Sequence, residues 1–405
     1  MDDDGSYTTP LHHAALNGDI RTVERLLLPH GSWSDDAADK YGNTPLHLAA
    51  WKSHTDVAKL LLDNGAWINA VNRFGNTPLH LAAWTGHTGM GELLLRKDAG
   101  ITIRHKNKNH NTPFHLAVSK GHIGMVELLL GMRASIEATS INGTTPLHLA
   151  TRSGHTGVVE LLLTGGALIE PLNTDDRTPL HLAALNGHTG VVELLLTKGA
   201  SIEPVDRCNR TPLHLTARNG HTGVVELLLS EGALIEPLDA DDRTPLHLAA
   251  LYGHTGVVEL LLTTGASIDF VGRSNQTSLH LAAQCGHTGV VELLLMKGAS
   301  IEAVNLYNHT SLHSAAQYGH TGVVELLLTK GASIEAVGRY NQTSLHLAAQ
   351  YGHTCVVELL LEKGASIEAV DRYNHTSLHL AAQYSHTCVV ELLLEKGASI
   401  EPVDR

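Results

Sequence analysis

The chain has 405 residues, with 28 Lys and Arg against 41 Asp and Glu and a formal net charge of −13. That balance argues against nucleic acid as a partner, because phosphate affinity rests on Lys and Arg. The opening MDDDGSY has no apolar core to serve as a secretory signal, no apolar run reaches membrane-spanning length, and four cysteines are too sparse for a disulfide scaffold. The expected setting is cytoplasmic and reducing, with the nucleus as the second address and no direct membrane insertion.

In chain order the dominant feature is a ruler. A Thr opens successive copies of one unit at Thr9, Thr44, Thr77, Thr112, Thr145, Thr178, Thr211, Thr244, Thr277, Thr310, Thr343 and Thr376. The gaps are 35, 33 and 35 residues, then 33 eight times running. Nothing outside the pattern is long enough for a second domain, so residues 1–405 read as one array of twelve repeats, each packing on its neighbours.

The sixth copy, TPLHLAALNGHTGVVELLLTKGASIE from Thr178 to Glu203, decodes as two helices and a connection. Thr178 suits a helix N-cap and Pro179 the first helical position, where no amide donor is needed. Leu180 to Asn186 make a short helix that Gly187 ends in the left-handed region. Val191 to Leu196 make a second helix, apolar on most sides, that stops at Gly199 and needs neighbours on several faces. The connection, 200 to 211, reads as a hairpin-like finger. Its tightest position holds Gly42, Gly75, His110, Gly143, Asp176, Asn209, Asp242, Asn275, Asn308, Asn341 and Asn374, the residue types that best tolerate positive φ.

Some copies depart from the pattern. The third carries Gly89 and Gly91 in its second helix and a finger two residues too long, with Arg96, Lys97, Arg104, Lys106 and Lys108 crowded there; the fourth places Arg133 where a C-terminal glycine belongs. These mark residues 90 to 112 as the weak joint of the array. Copies nine to twelve write Thr-Ser for Thr-Pro at Ser278, Ser311, Ser344 and Ser377. The chain stops at Val403-Asp404-Arg405, about where a thirteenth finger is due, after a helix as apolar as an internal one. The array is therefore expected to continue beyond this point or to lack a C-terminal cap, and its apolar end face is expected to self-associate.

The pattern D-x-x-G-x-T-P-L-H-L-A-A-x-x-G-H-x-x-V-V-x-L-L-L-x-x-G-A, met along almost the whole chain, closely resembles the ankyrin repeat. The resemblance implies an all-α repeat fold: an ankyrin-type solenoid of stacked helix-turn-helix units with β-hairpin fingers, used to bind other proteins. Two functions are consistent with it. One is an interaction scaffold that holds a partner protein or extended peptide in the concave groove. The other is the regulatory arm of a larger protein whose enzymatic or channel portion lies outside this chain. Asn69 matches the finger asparagine that is hydroxylated in some ankyrin-like proteins, so the resemblance offers it as one modification site.

The chain holds 29 histidines. One class stands three residues after each opening Thr, from His12 to His379, and the other at the helix-helix turn, from His54 to His386. The resemblance assigns both to structure: the first to backbone hydrogen bonds in the turn region, the second to ordering the inter-helix turn. Chelation from one helix wants i,i+3 or i,i+4 spacing, whereas His181 and His188 are seven apart, roughly 10 Å along a helix axis. No metal, cofactor or catalytic residue is expected: no phosphate loop occurs, and no Ser, Cys, His and Asp set stands apart from the repeated surface.

Partner binding is expected where the copies differ, in the two residues after the first helix's Ala pair and in the finger residues beside the tight turn. In the first slot these include Trp51, Trp84, Gln317 with Tyr318, Gln350 with Tyr351, and Gln383 with Tyr384; in the fingers they include Tyr307, His309, Arg339, Tyr340, Gln342, Arg372, Tyr373 and His375. Six of the nine tyrosines form these two ladders in copies ten to twelve. Tyr suits a rigid, half-wet contact surface. The last copies are near duplicates, so duplication alone is the competing explanation of the ladders.

Overall fold

The computed structural model describes residues 8–27, 37–98 and 103–400. The acidic start at 1–7, residues 99–102 of the long finger and the final Val403-Asp404-Arg405 lie outside the described residues. By compactness the chain divides into two units, residues 1–201 and 202–405, where the sequence ruler shows no break. Each unit carries six consecutive repeats.

Among the described residues every repeat is a pair of α-helices, from Pro10–Asn17 with Ile20–Leu26 to Ser377–Gln383 with Thr387–Glu395. The first helix starts because its Thr stands at the N-cap in extended backbone, as at Thr178 with φ −82° and ψ 166°. Its hydroxyl accepts the His181 backbone N–H at 3.4 Å, while the His181 ring accepts the Thr178 N–H at 3.1 Å. Histidine thus takes the reciprocal role that Glu or Gln has in a capping box. Within each unit first helices pack on first helices and second on second. Ala183 and Ala184 are fully buried, and their small side chains allow that close approach.

All eleven finger positions expected at positive φ have it, from Gly42 at 78° to Asn374 at 59°. Arg133 also adopts it, at 64°, in the slot that glycine fills elsewhere. The expected hairpin takes the form of a turn, with no strand assigned among the described residues. In most copies an Asp or Asn closes it: the side chain of Asp371 accepts the backbone N–H groups of Tyr373 at 2.8 Å and His375 at 2.9 Å. One backbone bond joins neighbouring fingertips, such as Arg372 N–H to the Tyr340 carbonyl at 2.7 Å. A single bond per step is too little for a ladder.

At the expected weak joint, Gly91 has a packing reason. A Cβ built there would stand 2.9 Å from Cε and 3.0 Å from Sδ of Met125, which occupies a slot that is Val in most copies. The helix gives up propensity at Gly91 and the larger Met125 fills the space.

Replacement of Pro by Ser has a cost that the sequence alone did not show. Ser278, Ser311, Ser344 and Ser377 are buried, and their hydroxyls have no hydrogen-bond partner. The preceding Thr keeps the same extended backbone in both kinds of copy, ψ 166° at Thr244 before Pro and 168° at Thr277 before Ser, as a following proline requires. Restoring Pro at all four positions removes four unpaired polar groups and fixes φ in the unfolded chain. About 0.5–1 kcal/mol per site is the expected gain. The melting temperature of the quadruple variant should rise by several degrees; an unchanged or lower value contradicts this.

Candidate functional site: the histidine grid and the groove it frames

The two histidine classes hold each repeat to its neighbour. In the first class, Nδ1 accepts the N–H of its Thr at 3.1–3.3 Å in all twelve copies. An Nδ1 that accepts carries no proton, so the proton of the neutral ring sits on Nε2. That Nε2–H donates to a carbonyl at the end of the following finger at 2.9–3.1 Å, from His12, His47, His80 and His148 in the first unit and His214, His247, His280, His313 and His346 in the second, while His115 donates to the Ala138 carbonyl nearer the start of its finger at 3.0 Å. Both nitrogens are used, which leaves these rings no lone pair for a metal. The finger therefore has its far end fixed by a ring of the preceding repeat.

The second class works in the opposite direction along the chain. Nε2 of His54, His87, His122, His155 and His188, and of His254, His287, His320, His353 and His386, meets a carbonyl of the preceding first helix at 2.9–3.1 Å. The acceptors include Trp51, Trp84, Gln317 and Gln350, which are groove positions. The ring packs so closely that a Cβ on Gly86 would stand 2.6 Å from His122 Nδ1, and Gly86 already has φ 78°. Glycine suits that slot twice over, by backbone and by contact, although Ser53 fills the equivalent slot of the second copy at φ 63°. A third link comes from the finger glutamates: Glu335 accepts the Ser366 backbone N–H at 2.7 Å and Glu368 that of Ser399 at 2.8 Å.

These links hold the groove backbone while its side chains vary. Tyr318, Tyr351 and Tyr384 are each about half exposed. Gln284 donates to the Tyr318 hydroxyl at 3.3 Å and Gln317 to that of Tyr351 at 3.4 Å, so the ladder is braced from the preceding repeat. Gln350 is bridged to Gln342 at 3.3 Å, whereas Gln383 is exposed. In the fingers Tyr340 and Tyr373 stack with centroids 6.2 Å apart, and the Arg339 guanidinium lies 5.4 Å from the Tyr340 ring. Tyr307 packs on His309, which stacks on His313 at 5.2 Å; Tyr373 packs on His375, and His375 on His379. His375 Nδ1 stands 3.6 Å from an Asp371 carboxylate oxygen, and Arg372 is exposed on the fingertip. The expected residues of copies ten to twelve thus fall in two rows, one at the ends of the first helices and one on the fingers.

Trp51 and Trp84 belong to a different surface in the first unit. They share an open cleft of about 580 Å³ with Tyr41, Phe74, Leu48 and Leu81. Tyr41 and Phe74, which a count of tyrosines does not single out, hold the same fingertip slot as Tyr307, Tyr340 and Tyr373, three residues before the opening Thr. Nor does the sequence single out a polar recess of about 350 Å³ in the second unit. It is lined by Arg210, Arg218, Arg243, Asp239, Asp241 and Tyr252, with Arg218 5.2 Å from the Tyr252 ring. Asn69 is half-buried, and its amide donates to Asp98 at 2.8 Å. Among the described residues no helix is long and apolar enough to cross a membrane, and all four cysteines are free thiols.

Paired helices stacked repeat on repeat, each stitched to the next through histidines in a T-P-L-H-type cap and a G-H turn, define a helical solenoid-type repeat protein. A family profile described as "Ankyrin repeats (3 copies)" matches residues 1–72, 67–140, 132–206, 201–271, 267–337 and 335–404, and the chain belongs to that family. Relatives match over about two repeat lengths. "Ankyrin repeat domain-containing protein 13C" of Danio rerio is 38% identical over 71 residues, 18% of this chain and 14% of that protein. "Ankyrin repeat and SOCS box protein 5" of Bos taurus is 42% identical over 64 residues, 16% of this chain and 18% of that protein. A putative ankyrin repeat protein of Fowlpox virus (strain NVSL) is 45% identical over 56 residues, 14% of this chain and 13% of that protein. The chain spans less than a fifth of the length of each of these relatives.

Burial makes the first histidine class sensitive to acid. It pushes His47, His115 and His313 down to about 4 and His80 to about 3, and lowers His12, His148, His214, His247, His280 and His346 as well. Unfolded histidine titrates near ~6.5, so between that value and about 4 the unfolded chain binds more protons than the folded one. The stability present in full above pH ~6.5 is therefore lost as pH falls through this window, by ~1.4 kcal/mol per pH unit for each extra proton taken up. Guanidinium unfolding followed at stepped pH from about 7.5 to about 4.5 should show a falling midpoint and uptake of several protons. A midpoint that stays level across the window contradicts the neutral, buried grid.

Proposed function

We propose that the chain is a non-catalytic adaptor that binds partner proteins through the side chains of its groove positions. The observation that carries this reading is the division of labour within each repeat. Histidine and the finger glutamates are consumed in joining neighbours and threonine in capping its own helix, while Tyr318, Tyr351, Tyr384 and the finger residues Tyr307, Tyr340 and Tyr373 stand exposed on that fixed backbone. Exposed aromatic rows of this kind favour contact over solvation. The partner at copies ten to twelve is an extended peptide or protein segment that crosses successive repeats, meeting one tyrosine of each row at every step. Exposed thiols at Cys208, Cys355 and Cys388 favour a reducing compartment, the cytoplasm or nucleus.

Changing Tyr318, Tyr351 and Tyr384 together to Ala tests the site. These side chains hold no core, so the melting temperature should stay within a few degrees of the parent's. Capture of partner protein by the immobilised chain should fall by about tenfold or more. Unchanged capture contradicts the site, and loss of the fold contradicts the division of labour.

A second reading, the regulatory arm of a larger protein, is supported by relatives that join ankyrin repeats to another named module, such as the SOCS box protein. Self-association is supported by an apolar recess of about 250 Å³ among Leu378, Ala382, Val390, Leu394 and Ile400. Leu394→Lys with Ile400→Lys should raise the monomer fraction in sedimentation; a parent chain that is monomeric at all concentrations contradicts it. Asn69 remains our candidate hydroxylation site.

A further inference from the structure

The aromatic cleft of the second to fourth repeats combines two features. Its walls are mostly apolar: Trp51 is 44% exposed, Trp84 45%, Tyr41 51% and Phe74 60%, and Leu48, Leu81 and Leu116 complete the lining beside three finger asparagines. Four aromatic rings left half in water around one hollow of about 580 Å³ are the surface expected of a seat for a bulky apolar side chain.

The second feature is charge. Residues 37–120 carry ten Lys and Arg and five Asp and Glu, in a chain whose net charge is −13. The acids do not face the cleft on equal terms. Asp56, Asp63, Glu92 and Asp98 lie on or just after second helices, and Asp39 turns its carboxylate into its own finger, where it accepts the N–H groups of Tyr41 and Asn43 at 2.8 Å each. The cations Lys40, Lys52, Arg73, Lys108 and Lys120 all stand on fingers or at the ends of first helices. Three of them lie beside the aromatic faces: Lys40 5.3 Å from the Tyr41 centroid, Lys52 4.6 Å from Trp51 and Lys120 3.8 Å from Trp84.

This arrangement selects among ligands. An aromatic hollow can also cage a cation, but here the protein's own ammonium groups already lie over Tyr41, Trp51 and Trp84, and a second cation meets their repulsion. A carboxylate meets attraction at the rim, and an apolar group displaces water from the walls.

We propose that this cleft is the docking site for an acidic peptide segment of a partner protein, whose aromatic or branched apolar side chain seats between Trp51 and Trp84 while its carboxylates pair with Lys40, Lys52 and Lys120. The proposal rests on the reading of the groove as a protein-binding surface and goes beyond it in naming the partner's chemistry. It makes no use of the tyrosine ladder.

The test is selection of a random twelve-residue peptide display library on the full chain, followed by fluorescence titration of the enriched peptides. All four tryptophans fall between residues 33 and 84, so their emission reports on this region. Enriched peptides should carry a net negative charge and at least one Phe, Trp, Leu or Ile, and should shift tryptophan emission. Their affinity should fall by about tenfold in Trp51→Ala with Trp84→Ala, and by a similar factor in Lys40→Glu with Lys52→Glu and Lys120→Glu, which reverses the charge of the rim. It should weaken severalfold between about 50 and about 500 mM NaCl and be unmoved in the Tyr318, Tyr351, Tyr384 triple variant. Enrichment of neutral or basic peptides, or acidic peptides indifferent to the lysine variant, overturns the proposal. Peptides lost only in the tyrosine variant overturn it while leaving the adaptor reading intact; no enrichment at all overturns both.

Discussion

Everything else in this structure depends on one interaction, the hydrogen bond from the buried, neutral imidazole of a first-class histidine to a carbonyl of the finger that leads into the next repeat. His47 illustrates the chain of causes. Its Nδ1 is occupied by the N–H of Thr44, which places the proton on Nε2 and leaves Asn76's carbonyl as the acceptor, 2.9 Å away. The cap of one helix, the tautomer of one ring and the position of the following finger are thereby a single event. Such a bond, made by a fully buried ring to a half-buried residue, is costly to leave unmade, on the order of 1–3 kcal/mol for the orphaned group. The acceptor stands one residue before the Thr that opens the next repeat, so order passes from each first helix to the next, as in other linear repeat arrays.

The turn histidines extend the same logic to the groove. Because they grip carbonyls, they fix where a groove residue stands without restricting what it is. Trp51, Arg152, Leu251 and Gln317 all offer the same acceptor to the histidine of the next repeat. Side-chain chemistry can therefore change along the chain at little cost to the stack. The hollow at Trp51 and Trp84 is aromatic with a basic rim, the recess at Arg218 and Tyr252 mixes Arg with Asp, and the rows at Tyr318 and Tyr373 are tyrosine with Gln and His. Fold and surface chemistry are in this sense separable: the invariant letters build the stack and the variable ones stand exposed on it.

Much of this was legible in the sequence because a fixed period makes each residue's slot readable. The Thr-Pro start, the glycine ends and the positive-φ fingertip follow from local backbone chemistry, and all eleven fingertips conform. What stayed hidden depends on a neighbour. Nothing in Gly91 itself reveals that Met125 fills its place. The serines of Thr-Ser copies look harmless until burial leaves their hydroxyls unpaired. Periodicity shows that Tyr41 and Phe74 share a slot with Tyr307, but only packing shows that they enclose one hollow with two tryptophans. The finger turned out shorter than its hairpin-like composition suggests, because a single Asx residue such as Asp371 closes it.

The central claim is that the histidine grid is structural, neutral and fixed in one tautomer. Nitrogen-resolved NMR of the imidazoles near neutral pH reads this directly. His47, His80, His115 and His313 should show protonated Nε2 and unprotonated Nδ1, with no titration until well below the ordinary histidine range, and no change on adding zinc. Rings that protonate near pH ~6.5, carry the proton on Nδ1 or shift with zinc would contradict the account at its root.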